Sequence, residues 1–186
     1  TVERPFRPAE LTLGSRGTFF GRLLDVDLKN AQATMTAAAK HKGTSVIECL
    51  VNCVIFNDGA HSWLSEKESR AERLIFLEHG KPMIFGKEGN KGLVQEGFKL
   101  KVVTIGEGGY TKEDILVHDA CCEDATLHTM LAMMEGPEFP IAMGVIRSVA
   151  DETYDEAVES QIAEIQAKSK LKSFDDLIDS CEQWEM

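Results

Sequence analysis

Residues His41–Ala60 read HKGTSVIECLVNCVIFNDGA, and the order of residue types along this stretch decides the fold. Lys42-Gly43 closes a helix, because glycine takes the left-handed cap conformation without a Cβ penalty. Ser45 to Val51 follows as a strand. Val46, Ile47, Leu50 and Val51 make it apolar and rich in β-branched residues, the pattern of a strand covered on both faces. Where that run ends, Asn52, Cys53, Asn57 and Asp58 gather in a loop that reads as polar. In an open parallel sheet, the loops at the C-terminal strand ends are where ligands bind.

Upstream, Pro8 suits the first turn of a short helix to about Ser15, with Leu11 on its inner face. Gly14 and Gly17 break it, and Thr18 to Leu24 reads as a strand. Asp25 and Asp27 offer N-caps for a helix reaching about Lys40. Leu28, Ala31, Met35, Ala38 and Ala39 recur there at helical spacing, with alanines suited to close packing on a sheet. Strand, helix and strand joined by short links form part of a parallel α/β sheet with a right-handed crossover.

Downstream the pattern changes. Ser62 to about His79 is expected as one helix, ended by Gly80 and Pro82. Met83 to Phe85 and Phe98 to Ile105 read as strands around a glycine-rich connection, Gly86 to Gly97. Lys99 and Lys101 alternate with Phe98, Leu100 and Val102, which implies one wet face. Asp124 can cap a helix carrying Leu127, Met130, Leu131 and Met134, and Ile141 to Val149 is a final strand. Asp155 to about Lys168 and Ser173 to Trp184 read as tail helices, with a capping box at Ser173 and Asp176. The expected organisation is therefore an α/β part over residues 1–60, a small α+β extension over 61–150, and an acidic helical tail over 151–186.

The bulk properties narrow the class. At 186 residues with 43% hydrophobic and 27% charged content, the chain has enough apolar material for a core and is not disordered. Its net charge of −11 opposes nonspecific nucleic-acid binding, which needs a positive field. Lys81, Lys87, Lys91, Lys99 and Lys101 form a basic island, either a solvated face or a steering patch for a charged partner. No run of membrane length is present. Five cysteines without disulfide-like spacing fit a reducing cytoplasm. The start at Thr1, without an initiator methionine, reads as a fragment.

A self-contained active site is not legible. There is no GxGxxG, P-loop or GxSxG, and Gly106-Glu107-Gly108-Gly109 precedes no helix N-terminus, so it reads as a surface turn. Cys121-Cys122 lacks zinc-site spacing, and Cys181 reads as incidental. His41, His61, His79, His118 and His128 form no metal set by spacing. Cys49 lies inside the apolar run and reads as core. Cys53, four residues on, would share its face in an unbroken strand. Taken alone it is either a packed thiol or a metal ligand, and no neighbouring cysteine completes a set.

The same stretch resembles the corresponding segment of the β subunit of 2-oxoacid:ferredoxin oxidoreductases, the 2-oxoglutarate type in particular. TVERPFRPAELTLGSRGTFFGR at the start, LEHGKPMIFG, DILVHDA, and FPIAMGVIRSV followed by Thr153-Tyr154 extend the likeness in order along the chain. The resemblance implies the C-terminal part of a thiamine-diphosphate-binding parallel-sheet module. It implies thiamine diphosphate with Mg²⁺, a 4Fe-4S cluster, an α subunit partner, and conversion of 2-oxoglutarate and coenzyme A to succinyl-CoA and CO₂ with reduction of ferredoxin. On the resemblance Cys53 is a cluster ligand, Asn52, Asn57 and Asp58 shape or surround the site, and Arg4 lies near the cofactor.

The family's GDG-to-NN segment, which holds Mg²⁺ and the diphosphate, is absent, as are three upstream cluster cysteines. No catalytic residue is therefore expected within this chain, and alone it should not turn over substrate. A sibling specific for pyruvate or another 2-oxoacid is the alternative within the family. A non-catalytic interaction or assembly module is the alternative outside it, with the lysines of the 81–101 segment offered as a dock for ferredoxin.

Overall fold

The structure, a computed structural model, describes residues 2, 3 and 5–182. It divides into a compact unit ending at Asp151 and a second unit beginning at Glu152. In the first unit, among the described residues, a four-stranded sheet has the order β2-β1-β7-β3. Here β1 is Phe19–Leu24, β2 is Ser45–Leu50, β3 is Leu74–Leu77 and β7 is Ile141–Ser148. A second sheet, β4-β5-β6, comprises Ile84–Phe85, Lys91–Glu96 and Lys99–Thr104.

The expected β1–helix–β2 unit is present. Helix α1 (Pro8–Gly14) leads into β1, and α2 (Leu28–Lys40) crosses over to β2, which runs parallel to β1. Asp27 caps α2, its side chain accepting from the Asn30 N–H. Contact between helix and sheet is close because Gly21 has no Cβ: one placed there would stand 2.7 Å from Thr34 Cγ2. This intimacy explains a correction. Helix α2 packs through its small residues Thr34 and Ala38, so the larger Leu28 and Met35 point to solvent. Leu11 of α1 likewise faces out, while Ala9 and Leu13 are buried.

β1 is buried at all six positions, whereas β2 stands at the sheet edge and is only half-buried. The double coverage expected for the His41–Ala60 strand thus belongs to β1. Cys49, expected in the core, is exposed. The sheet is not purely parallel: β3 pairs parallel with β7, but β7 pairs antiparallel with β1.

The long helix expected over Ser62 to His79 is replaced by α3 (Ser62–Ser65), α4 (Lys67–Arg73) and β3. Leu74-Ile75-Phe76-Leu77 is a run of four apolar residues. A helix would spread them around its cylinder, whereas a strand beside β7 buries both of its faces. Residues 61–150 therefore supply two of the four strands of the main sheet.

Strand β5 lies inside the expected glycine-rich connection, paired antiparallel with both β4 and β6. On β6 Leu100 and Val103 are buried and Lys99 and Lys101 exposed, but Phe98 precedes the strand and is 97% exposed. Helix α5 (Thr126–Ala132) follows Asp124, whose side chain accepts from the Thr126 N–H and hydroxyl. The main core gathers Phe20, Ile75, Leu93, Leu131, Ala142 and Ile146 from both sheets and α5.

In the second unit, α6 (Tyr154–Lys168) and α7 (Phe174–Asp179) each begin with a capping box, Thr153 with Glu156 and Ser173 with Asp176. Neither helix buries a residue. Trp184, the expected end of the last helix, lies outside the described residues. No helix among the described residues is long and apolar enough to cross a membrane.

Candidate functional site

The C-terminal end of β2 opens into the loop that carries Cys53. A parallel strand ending at a sheet edge leaves its following loop free of the next ladder, so the loop must order itself. Asn52 does this. Its side-chain amide donates to Asp58 Oδ1 at 2.9 Å, and its Oδ1 accepts the Gly59 N–H at 2.8 Å. Inside that clasp the Asn57 N–H donates to the Cys53 carbonyl at 3.0 Å. Gly59, at φ 77°, supplies the left-handed turn that closes the loop. Asn52, Cys53, Asn57 and Asp58 are thus brought together in one exposed loop. Arg4 lies outside the described residues.

The backbone N–H groups of Phe56, Ile55 and Asn57 draw the Cys53 thiol below its ordinary range. Donors aimed at a sulfur favour the thiolate, the form that attacks electrophiles and binds metals. Cys49 behaves oppositely, pushed up by partial burial and then by the charge of Asp25. The strand ends at Leu50, so the shared face of the two cysteines is interrupted and their environments diverge.

The loop is less polar than its asparagines imply. Val54 is 73% exposed, Ile55 82% and Phe56 90%. Three adjacent apolar side chains thus stand in solvent. Their sequence signal was the Val-Ile-Phe run between Cys53 and Asn57, which looks like strand until a turn is required.

Two features were not legible in the sequence. Arg22, buried in β1, donates to Glu48, to the Ala142 carbonyl and to the Ala132 carbonyl. His118, His128 and Arg147 form a buried polar cluster under the 119–123 loop. The basic island is partly self-neutralised. Lys91 pairs with Glu72 at 2.7 Å and Lys101 with Glu96 at 2.7 Å, and no ion pair is formed by Lys81, Lys87 or Lys99 among the described residues. A cavity of about 440 Å³ is lined by other residues, among them Trp63, Arg73, Lys91 and Phe139. Among its charged residues, Lys91 is paired with Glu72 and Arg73 stands over the Trp63 ring.

No family model matches the chain. It is 36% identical over 163 residues to 2-oxoglutarate oxidoreductase subunit KorB of Mycobacterium tuberculosis (strain ATCC 25618 / H37Rv), a match covering 87% of this chain and 43% of that protein. The chain is a relative of 2-oxoglutarate oxidoreductase subunits. Its fold agrees. A solved 2-oxoglutarate:ferredoxin oxidoreductase from Magnetococcus marinus, with 2-oxoglutarate, coenzyme A and succinyl-CoA bound, superposes with a TM-score of 0.59 at 14% identity. That superposition covers 98% of this chain and 46% of the other. The chain therefore spans a little under half the length of the family members it matches.

Proposed function

We propose that this chain forms the C-terminal part of the β subunit of a 2-oxoglutarate:ferredoxin oxidoreductase and that Cys53 delivers one thiolate to its 4Fe-4S cluster. The observation that carries this reading is the Cys53 loop: an exposed thiol, held toward its thiolate form by three backbone N–H groups, at the open end of a parallel edge strand. The 36% identity to a 2-oxoglutarate oxidoreductase subunit supports the choice of family.

The donor set fits a shared cluster rather than one built here. A cubane cluster takes four thiolates. Among the described residues no other cysteine joins Cys53 in a ligand cluster. The remaining ligands, and the residues holding thiamine diphosphate and Mg²⁺, then come from the rest of the subunit. When bound, the cluster supplies one-electron transfer from the decarboxylation of the 2-oxoacid toward ferredoxin.

This chain's residues have defined tasks in that assembly. The Asn52–Asp58 clasp fixes the loop so that Cys53 presents its sulfur outward. N–H groups near that sulfur stabilise negative charge on it. Val54, Ile55 and Phe56 cover the site against water once the rest of the subunit docks. The outward Leu28 and Met35 of α2 extend the apolar surface available to the rest of the subunit or to the α subunit. Substrate and coenzyme A recognition falls outside this chain, which supplies sheet, one ligand and interfaces.

Replacing Cys53 by serine in the complete subunit is expected to lower iron and acid-labile sulfide content and to abolish ferredoxin reduction. Unchanged cluster content in Cys53→Ser would overturn the assignment. Activity on a panel of 2-oxoacids, with 2-oxoglutarate expected to be preferred, tests the substrate.

A further inference from the structure

We propose that His79, Asp119 and Cys121 form a surface site for a borderline divalent cation of the Zn²⁺ type. One ligand atom from each residue lies within 4.8 Å of the others, and all three side chains are exposed. His79 Nδ1 stands 3.3 Å from Asp119 Oδ1. Tetrahedral Zn²⁺ with nitrogen, oxygen and thiolate ligands spaces them about 3.3–3.6 Å apart. One pair is already at that spacing, and the third atom closes by a side-chain rotation.

The scaffold is held from beneath. His128, fully buried, donates through Nε2 to the Asp119 carbonyl at 2.7 Å. Arg147, also buried, donates to the Cys122 carbonyl at 2.9 Å and the Glu123 carbonyl at 3.1 Å. Ser148 N–H donates to the Ala120 carbonyl at 2.7 Å. Four carbonyls of the 119–123 loop are thus pinned from the core, which leaves the Asp119 and Cys121 side chains on the solvent side.

The opposite wall is fixed as well. Gly80 N–H donates to the His118 carbonyl at 2.8 Å and His118 N–H to the Lys81 carbonyl at 2.9 Å, so the backbone following His79 is clamped beside Asp119. A ligand set presented by a backbone that cannot drift binds with little ordering cost.

The protonation pattern also suits a metal. Ala120 N–H donates to His79 Nδ1 at 3.2 Å, which selects the tautomer with a bare Nδ1. A cation taking that lone pair displaces the Ala120 N–H from His79. A carboxylate, a thiolate and a neutral imidazole balance a divalent charge, and a mixed N, O and S set selects zinc-like ions over Mg²⁺ or Ca²⁺. Three protein ligands leave one position open to solvent. Binding releases the thiol proton and makes no redox change.

Titrating the reduced full chain with Co²⁺ tests the site, because a thiolate ligand adds a sulfur-to-cobalt charge-transfer band to the absorption of a four-coordinate ion. One equivalent of Co²⁺, displaced by Zn²⁺, is expected to show that band in the parent chain and in the Cys53→Ser and Cys122→Ser variants. Cys121→Ser is expected to lose the band, while His79→Ala and Asp119→Asn weaken binding by at least about tenfold. Circular dichroism monitors folding, which these exposed substitutions are expected to leave intact. Absence of the band in the parent chain, or its survival in Cys121→Ser, would overturn the site.

Discussion

Arg22 on β1 and Glu48 on β2 stand opposite each other in the parallel ladder and close an ion pair of 2.6 Å. The same guanidinium reaches the carbonyls of Ala132, the last residue of α5, and Ala142 on β7, so one side chain ties three strands and a helix end together. Replacing Glu48 by glutamine keeps the shape and removes the charge. A cost of about 1–3 kcal/mol is expected, the range for a charge-assisted hydrogen bond. Arg22→Ala leaves Glu48 and two carbonyls without their donor and should cost more, about 3–5 kcal/mol. Urea denaturation of both variants measures the order, and a Glu48→Gln variant costlier than Arg22→Ala would contradict it.

The two cysteines at the end of β2 should differ in reactivity. Cys53 is drawn toward its thiolate and Cys49 held from it, so iodoacetamide should label Cys53 first at neutral pH. The pH midpoint for labelling Cys53 should lie below that for Cys49. Mass spectrometry of a quenched time course reads both.

Stability should fall on the acid side of neutrality. Burial pushes the folded-state values of His118 and His128 below their ordinary 6.5. Both stay neutral in the fold, each with Nε2–H donating to a carbonyl, of Val145 and of Asp119. The His128 Nδ1 accepts from Arg147, and the His118 Nδ1 is buried without a partner. The unfolded chain therefore binds protons more readily below about 6.5, and stability present above that value is lost as pH falls through it. Replacing His118 by glutamine should flatten the pH dependence of the melting temperature over that window.

Two glycine substitutions should have opposite signs. Gly144 in β7 has φ 88°, and a Cβ there would stand 2.9 Å from the Leu77 carbonyl oxygen of the neighbouring strand. Gly144→Ala is expected to cost at least about 2 kcal/mol. Gly14, at the end of α1, has open space where a methyl group would stand, with nothing within 4 Å. Gly14→Ala should stabilise by about 0.4–1 kcal/mol through the unfolded chain. Thermal melts of the two variants read both signs.

The amino-acid order alone determined the β1–α2–β2 unit, the caps at Asp27 and Ser173, and a final strand beginning at Ile141, read to Val149 and ending at Ser148. Those elements rest on local chemistry: a side chain that caps, a glycine that turns, a run of β-branched residues. It also placed Cys53 at a strand end. The resemblance assigned that cysteine a ligand's role, which spacing could not.

Tertiary structure decided everything that depends on which neighbour a strand or helix meets. Leu74-Ile75-Phe76-Leu77 became a strand because β7 lay beside it to bury both faces. Leu28 and Met35 turned outward because Gly21 let α2 approach through Thr34. The His41–Ala60 strand proved to be an edge and its loop an apolar surface, since coverage belongs to an assembled sheet and periodicity records only composition. His79 and Asp119, distant in sequence, met only when the 80–82 and 117–118 backbones paired. Spacing along a chain cannot carry such a meeting, because long-range pairing is set by the packed whole.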